Sequence, residues 1–259
     1  MVLNDILEKK RKEVEELKRV QELAELISTA EEKSKKRRSF ASALKPKKLH
    51  LICELKKASP SGGLLREDFN PEVLAQEFEM SGASALSILT ERHYFKGNPN
   101  FLKQARSVTT IPLLRKDFIF DPYQVYETAS LEADAFLAIA MLLSVKELRE
   151  LIGLASQFKL DVLVETHTKE DLDRALEAGA NMIGINNRNL KTLEVDSAVA
   201  ENLIRYIPKN VITIIESGIQ TREEILRYQS LGVNSFLIGT TFMKAANVRQ
   251  KVLELYGKN

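Results

Sequence analysis

The chain predicts an α/β protein, a (β/α)8 TIM barrel with an N-terminal helical extension. Eight short apolar runs rich in β-formers recur between residues 50 and 239, and segments of helical period lie between them. Strand and helix thus alternate at intervals of very roughly 20 to 35 residues, the rhythm of a closed parallel barrel. The third observation is negative. No G-x-G-x-x-G turn follows the first run and no GKS/T phosphate loop is present, so the open doubly wound sheet is disfavoured.

The extension comes first. Leu3, Ile6, Leu7, Val14, Leu17, Val20, Leu23 and Ile27 recur at spacings of three and four, which predicts one or two amphipathic helices before any strand. The basic run at 33–38 reads as a solvated connection rather than a nucleic-acid or targeting patch. The predicted strands are 50–55, 85–90, 112–118, 135–142, 161–166, 182–187, 211–217 and 235–239. Helical period marks 73–80, 123–131, 145–158, 169–178 and 222–231. Gly82-Ala83, Gly179-Ala180 and Gly232-Val233 read as helix stops leading into the next strand. These stops fix the phase, so polar residues late in each run belong at the C-terminal mouth, where barrel enzymes do their chemistry.

Barrels of this length, 259 residues, are routinely one domain, so 1–259 is expected to be a single unit in which 1–48 packs on the barrel. Lys and Arg total 38 against 36 Asp and Glu, giving +2, which supplies no broad basic field for nucleic acid. One cysteine, Cys53, permits neither an internal disulfide nor a cysteine metal cluster, and a reducing compartment is expected. The apolar run at 135–143 falls far short of the roughly 20 residues of a spanning helix, so no membrane association and a cytoplasmic location are expected.

At the mouth, Glu54 and Lys56 are two apart and share the barrel-facing side, with Leu55 and Cys53 turned toward the helices. The third strand ends in Arg115, Lys116, Asp117 and Phe118, the fifth in Glu165, the sixth in Asn186, Asn187 and Arg188, and the seventh in Glu216, Ser217 and Gly218. Charges in an apolar-walled mouth are costly unless paired or used. Any one pair, Glu54 with Lys56 or Glu165 with Lys116, could be an ion pair that fixes register; the same pattern on five strands weighs for a site. Asp117 could cap the following helix or pair with Arg115, and Arg188 could anchor a loop or a ligand. Ser217-Gly218 and Gly239-Thr240-Thr241, on the last two strands, stand where barrels hold phosphate. The loop at 58–63 carries hydroxyls and glycines and could fold over a ligand, although its composition fits a plain surface loop equally well. His50, His93 and His167 lie on separate segments without metal-ligand spacing, and His50 is expected to be structural.

The ordered segments ELKKASPSG at 54–62, LTE at 89–91 with FKG at 95–97, LRKDF at 114–118, LVE at 163–165, IGINNRNL at 183–190 and ESGI at 216–219 resemble the indole-3-glycerol phosphate synthase family over 50–243. The N-terminal helices resemble that family's barrel-capping extension. Thr240 and Thr241 depart from it, standing where the family often has Ser or Glu. The resemblance implies ring closure, decarboxylation and dehydration of 1-(2-carboxyphenylamino)-1-deoxyribulose 5-phosphate, with no cofactor and no metal. It implies Lys116 as general acid, Glu165 as acid or base in dehydration, and Lys56 as partner of the substrate carboxylate or a proton donor. Glu54 and Asn186 would orient Lys56 and the substrate hydroxyls, and Glu216 would complete the polar shell. Pro60, Phe95, Phe118 and Leu137 would contact the aromatic ring, and Ser59, Ser217, Gly218, Gly239 and Thr240 the phosphate, with Arg188 a further binding residue. Other tryptophan-pathway enzymes are the candidate protein partners. Two alternatives stay open: a phosphoribosylanthranilate isomerase-like barrel, which would use a mouth cysteine and aspartate, and a catalytically silent ligand-binding barrel.

Overall fold

The computed structural model describes residues 2–45 and 48–258. Eight strands close a barrel: β1 (His50–Leu55), β2 (Ala85–Leu89), β3 (Leu113–Ile119), β4 (Ala135–Ile139), β5 (Asp161–Thr166), β6 (Met182–Asn186), β7 (Ile212–Glu216) and β8 (Ser235–Ile238). Every neighbouring pair is parallel, and β1 joins both β2 and β8, so no edge is left open. The predicted strand at 135–142 is shorter than expected, because Ala140–Leu142 turns into a 3₁₀ segment. All eight runs are otherwise in place to within a residue or two.

Helices α1 (Val2–Val20), α2 (Leu23–Ser34) and α3 (Phe40–Ala43) precede the barrel, and α4 (Pro71–Met80), α5 (Asn100–Val108), α6 (Pro122–Ser130), α7 (Val145–Gln157), α8 (Lys169–Glu177), α9 (Ala198–Leu203), α10 (Arg222–Ser230), α11 (Thr240–Met243) and α12 (Val248–Tyr256) surround it. Helices α6, α7, α8 and α10 all begin with reciprocal capping, through Asp121 with Gln124, Ser144 with Glu147, Thr168 with Asp171 and Thr221 with Glu224. Each such cap stabilises its helix start by about 1 kcal/mol and fixes where the mouth loop ends. At the other ends Gly82, Gly179 and Gly232 take φ of 94°, 91° and 90°, the left-handed conformation that stops a helix.

Alternation along the strands separates two apolar layers. Ile52, Leu114, Leu137, Leu163, Ile214 and Leu237 fill the barrel, while Cys53, Leu55, Phe136 and Phe236 face the helices. Cys53 thus lies away from the mouth, fully buried, its thiol pushed well up by that burial. His50 is structural, with Nδ1 2.9 Å from Ser84 Oγ and Nε2 2.7 Å from the Lys45 carbonyl.

The extension spans the barrel from end to end. Leu3 and Ile6 of α1 join the inner apolar layer near the mouth, α2 packs along α6, and Phe40 and Leu44 plug the opposite end. There the amides of Arg38 and Ala41 donate to Asp134 and Asp161, each at 2.9 Å, at the starts of β4 and β5. The basic run at 33–38 is more than a solvated connection. Lys33 pairs with Glu132, and the Arg37 guanidinium bonds the carbonyls of Ala133 and Ala129, the latter at 2.9 Å. One carbonyl in the last turn of α6 and one in the connection to β4 draw this side chain inward. No helix among the described residues is long and apolar enough to cross a membrane.

Candidate active site

The strand register carries the scattered polar residues to one level. Lys116 of β3 lies beside Leu89 of β2, Glu165 of β5 lies between Ile139 and Gly184, and Glu216 of β7 lies between Asn186 and Leu237. Their side chains point inward and meet. Lys116 Nζ is 3.0 Å from Glu165 Oε2 and also bonds Glu216 Oε2, while Lys56 Nζ is 2.7 Å from Glu54 Oε2. All six residues proposed for chemistry, Glu54, Lys56, Lys116, Glu165, Asn186 and Glu216, line one cavity of about 730 Å³ at the C-terminal mouth.

Two glycines make that geometry possible. A Cβ at Gly184 would fall 2.1 Å from Glu216 Oε1, and one at Gly239 would fall 2.1 Å from Glu54 Oε2. The carboxylates therefore lie directly over bare backbone. Gly239, expected as a phosphate contact, lines the cavity but also serves as the seat of Glu54.

Burial opposes charge on all three central groups, and the neighbours decide the outcome. For Lys116 the desolvation is outweighed by Glu216, Glu165 and Glu54, which together hold its proton far above the usual lysine range. Burial also works against the Glu165 charge, yet Lys116, then His167, and the Asn186 amide bring its carboxyl below the ordinary value. Glu216 goes the other way. Desolvation, with repulsion from Glu165 and Glu54, exceeds the pull of Lys116 and raises it to about 8. At neutral pH one lysine thus faces one carboxylate and one carboxylic acid. Glu165 Oε1 and Glu216 Oε1 have no hydrogen-bond partner among the described residues.

Arg115 and Asp117, also placed at the mouth by the sequence, diverge from Lys116. Alternation turns Arg115 outward, where it is fully buried against Glu127 at 2.7 Å, Thr128 at 3.0 Å and Asp117 at 3.3 Å. Asp117 does not cap α6, a role taken by Asp121; it pairs with Arg115 and with Lys10 of α1 at 3.0 Å. Asn187 also turns away from the cavity, its amide donating to Tyr228 Oη at 3.0 Å.

The remaining expected residues fall around the same cavity. Pro60, Phe95, Phe118 and Leu137 form an apolar wall, with the rings of Phe95 and Phe118 6.5 Å apart. Ser59 is held by its Oγ accepting from Gly62 N at 3.1 Å, in a small hairpin that pairs Ala58–Ser59 with Gly63–Leu64. Arg188 lines the cavity and also anchors its loop, donating to the Leu193 carbonyl at 2.6 Å. Ser217 and Gly218 have φ of 65° and 83°, opposite Thr240 at the start of α11, and Thr241 Oγ1 ties the two loops by donating to the Ile219 carbonyl at 2.6 Å.

Sequence reasoning missed several lining residues, four of which bear on what the cavity could bind. Lys244 and Lys251 stand near the Thr240 end, and Leu3 and Ile6 close the apolar wall from α1. The lysines carried a faint signal, two cations soon after the last strand; the α1 contacts carried none, since amphipathicity does not say what a helix covers.

A family model described as indole-3-glycerol phosphate synthase matches residues 3–255. A protein of that name from Thermoanaerobacter pseudethanolicus is 46 % identical over 252 residues, covering 97 % of this chain and 96 % of the relative. Another from Aliarcobacter butzleri is 43 % identical over 255 residues, covering 97 % of each. Among solved structures, 3-hexulose-6-phosphate synthase from Salmonella typhimurium superposes with a TM-score of 0.61 at 14 % identity over 81 % of this chain and 97 % of its own. At that identity the likeness speaks for the barrel alone.

Proposed function

We propose a division of labour for this cavity from one fixed premise: the chain belongs to the indole-3-glycerol phosphate synthase family. The activity is that of a carboxy-lyase of tryptophan biosynthesis acting on a phosphorylated small molecule, 1-(2-carboxyphenylamino)-1-deoxyribulose 5-phosphate. In the reaction, the ring carbon that bears the carboxylate attacks the ketone carbon, and the carbonyl oxygen takes a proton. Carbon dioxide then leaves with its bonding electrons returned to the ring, and the new hydroxyl departs as water once protonated, while a neighbouring C–H proton goes to a base.

In our reading Lys116 supplies the first proton. It is held in its ammonium form by the carboxylates around it, and its Nζ sits centrally on the cavity floor. Glu165, lying against Lys116 with one oxygen free, moves the protons of dehydration. Lys56, oriented by Glu54 at 2.7 Å, receives the substrate carboxylate, and Asn186 and Glu216 complete the polar floor. Phe95, Phe118, Leu137 and Pro60 face the aromatic ring, with Leu3 and Ile6 closing over it. Ser59, Ser217, Gly218, Gly239 and Thr240, with Arg188 as a further cation, hold the phosphorylated end. The single observation that carries the assignment is the contact of Lys116 with two buried glutamates from strands β5 and β7.

An indole-product fluorescence assay tests it. Lys116→Ala is expected to lower kcat at least about a hundredfold, the scale of a lost general acid. Near-normal turnover by that variant would remove Lys116 from the role. A carboxylate contact at Lys56 would appear as a KM effect of Lys56→Ala exceeding that of any residue at the phosphate end other than Arg188.

A further inference from the structure

Beside the catalytic floor lies an ionisable side chain with no part in the scheme above. His167 follows β5 directly, two residues after Glu165, and its side chain is 10 % exposed. Its Nε2 is 3.3 Å from Glu165 Oε1, and its Nδ1 is 4.0 Å from Asp171 Oδ2. Neither ring nitrogen has a hydrogen-bond partner among the described residues, and neither does Glu165 Oε1. Two buried polar groups thus face each other at bonding distance but off the bonding line. A bond between them would remove the desolvation cost that each bears while unpartnered.

The backbone holds the ring in position. The amides of His167 and Thr168 donate to Asp171 Oδ2 at 3.1 and 3.2 Å, inside the capping box that starts α8. Asp171 is in turn paired with Arg174 at 2.5 Å. The charges facing the imidazole are Glu165 from β5 and Asp171 from α8, with Arg174 behind Asp171 and Lys116 and Glu216 beyond Glu165. The 3₁₀ turn Ala140–Leu142, packed against α8, contributes only apolar side chains.

We propose that His167 is the positioning residue of Glu165: its Nε2–H donates to Oε1, leaving Oε2 to Lys116 and setting how readily the carboxyl takes up and releases a proton during dehydration. The cavity lining does not include His167, so it acts through Glu165 and not on substrate. The inference rests on the dehydration role given to Glu165. It adds that the carboxylate is held between two donors, a lysine on one oxygen and a histidine on the other.

The test combines turnover with a spectroscopic readout that needs no turnover. His167→Leu removes the donor, and kcat is expected to fall about tenfold or more with KM within about twofold, the signature of an interaction made in the transition state. His167→Gln keeps a neutral donor near the Nε2 position and should restore most of kcat. The ring nitrogen NMR signals of His167, recorded at one fixed pH, are expected to move in Glu165→Gln relative to the unaltered chain. A leucine variant with unchanged kcat, or His167 ring signals indifferent to Glu165→Gln, overturns the proposal. Normal turnover by Glu165→Gln would instead remove the dehydration role of Glu165, while the ring signals would still report whether the two side chains are paired.

Discussion

At the scale of single residues, the telling group is Glu216. Its carboxyl, raised to about 8 by burial and by repulsion from Glu165 and Glu54, is largely neutral at pH 7. Lys56, Lys116, Arg188, Lys244 and Lys251 then line the cavity against Glu54, Glu91, Asp117 and Glu165, so with Glu216 neutral the lining carries an excess of positive charge suited to an anionic substrate. The sign for stability follows. The folded chain keeps a proton on Glu216 that the unfolded chain releases above the ordinary value of 4.5. The contribution is therefore fully present below that value and is lost as pH rises through about 8. Glu216→Gln has no proton to lose. In urea unfolding, its stability relative to the unaltered chain should improve between pH 5 and pH 9 by at least about 1 kcal/mol. A difference independent of pH would show that Glu216 ionises normally in the fold. The inward direction of Glu216 was legible from the period of its strand, but its neutrality was not, because that depends on Glu165 and Glu54 arriving from other strands.

At the scale of elements, each strand delivers one useful side chain, and its neighbour makes room for it. Gly184 reads as a weak point within its own strand, and Gly239, just past β8, was expected only to meet phosphate. Their use is visible only across the register, under Glu216 and Glu54. Gly184→Ala should push the Glu216 carboxyl off Lys116 and lower kcat by about tenfold or more, on the scale expected when a hydrogen-bonded group of the site is misplaced. Gly153, exposed in α7 with nothing within 4 Å of an added Cβ, is the matched control. Gly153→Ala should leave kcat unchanged and stabilise the helix by about 0.5–1 kcal/mol. Equal loss of activity in both variants would discount the packing of Glu216 over Gly184. The strands and the helices between them were legible because their hydrophobic periods differ. Helices α3, α5, α9 and α12 escaped notice: α5 follows the Asn98-Pro99 pair that reads as loop, while α3 and α9 are only four and six residues long.

At the scale of the whole molecule, the N-terminal extension and the barrel are joined through charge as well as apolar contact. Lys10 of α1 is 2 % exposed and pairs with Glu13 at 2.8 Å and Asp117 at 3.0 Å, while Asp117 in turn holds Arg115. Burial lowers the Lys10 proton affinity, but Asp117 and Glu13 more than restore it, so the ammonium persists in the interior. Asp117 is adjacent to Lys116 on β3, and α1 also supplies Leu3 and Ile6 to the cavity wall. The helix that seals the mouth is thus tied to the strand that carries the proposed acid. A pattern of apolar residues could announce α1, yet a lysine on its polar side gave no sign of pairing 107 residues away. Lys10→Met keeps the length of the side chain but leaves Asp117 with only Arg115 against its charge. Breaking a buried pair from one side costs about 3–5 kcal/mol, less whatever Arg115 recovers. The expected result is a clear drop in the urea midpoint together with a raised KM, because a loosened α1 no longer holds Leu3 and Ile6 against the substrate ring. Replacing both partners, in Lys10→Met with Asp117→Asn, should recover part of the stability, since no uncompensated carboxylate then remains. If the double variant is as unstable as the sum of the two single ones, Lys10 and Asp117 act independently and α1 is held on the barrel by its apolar face alone.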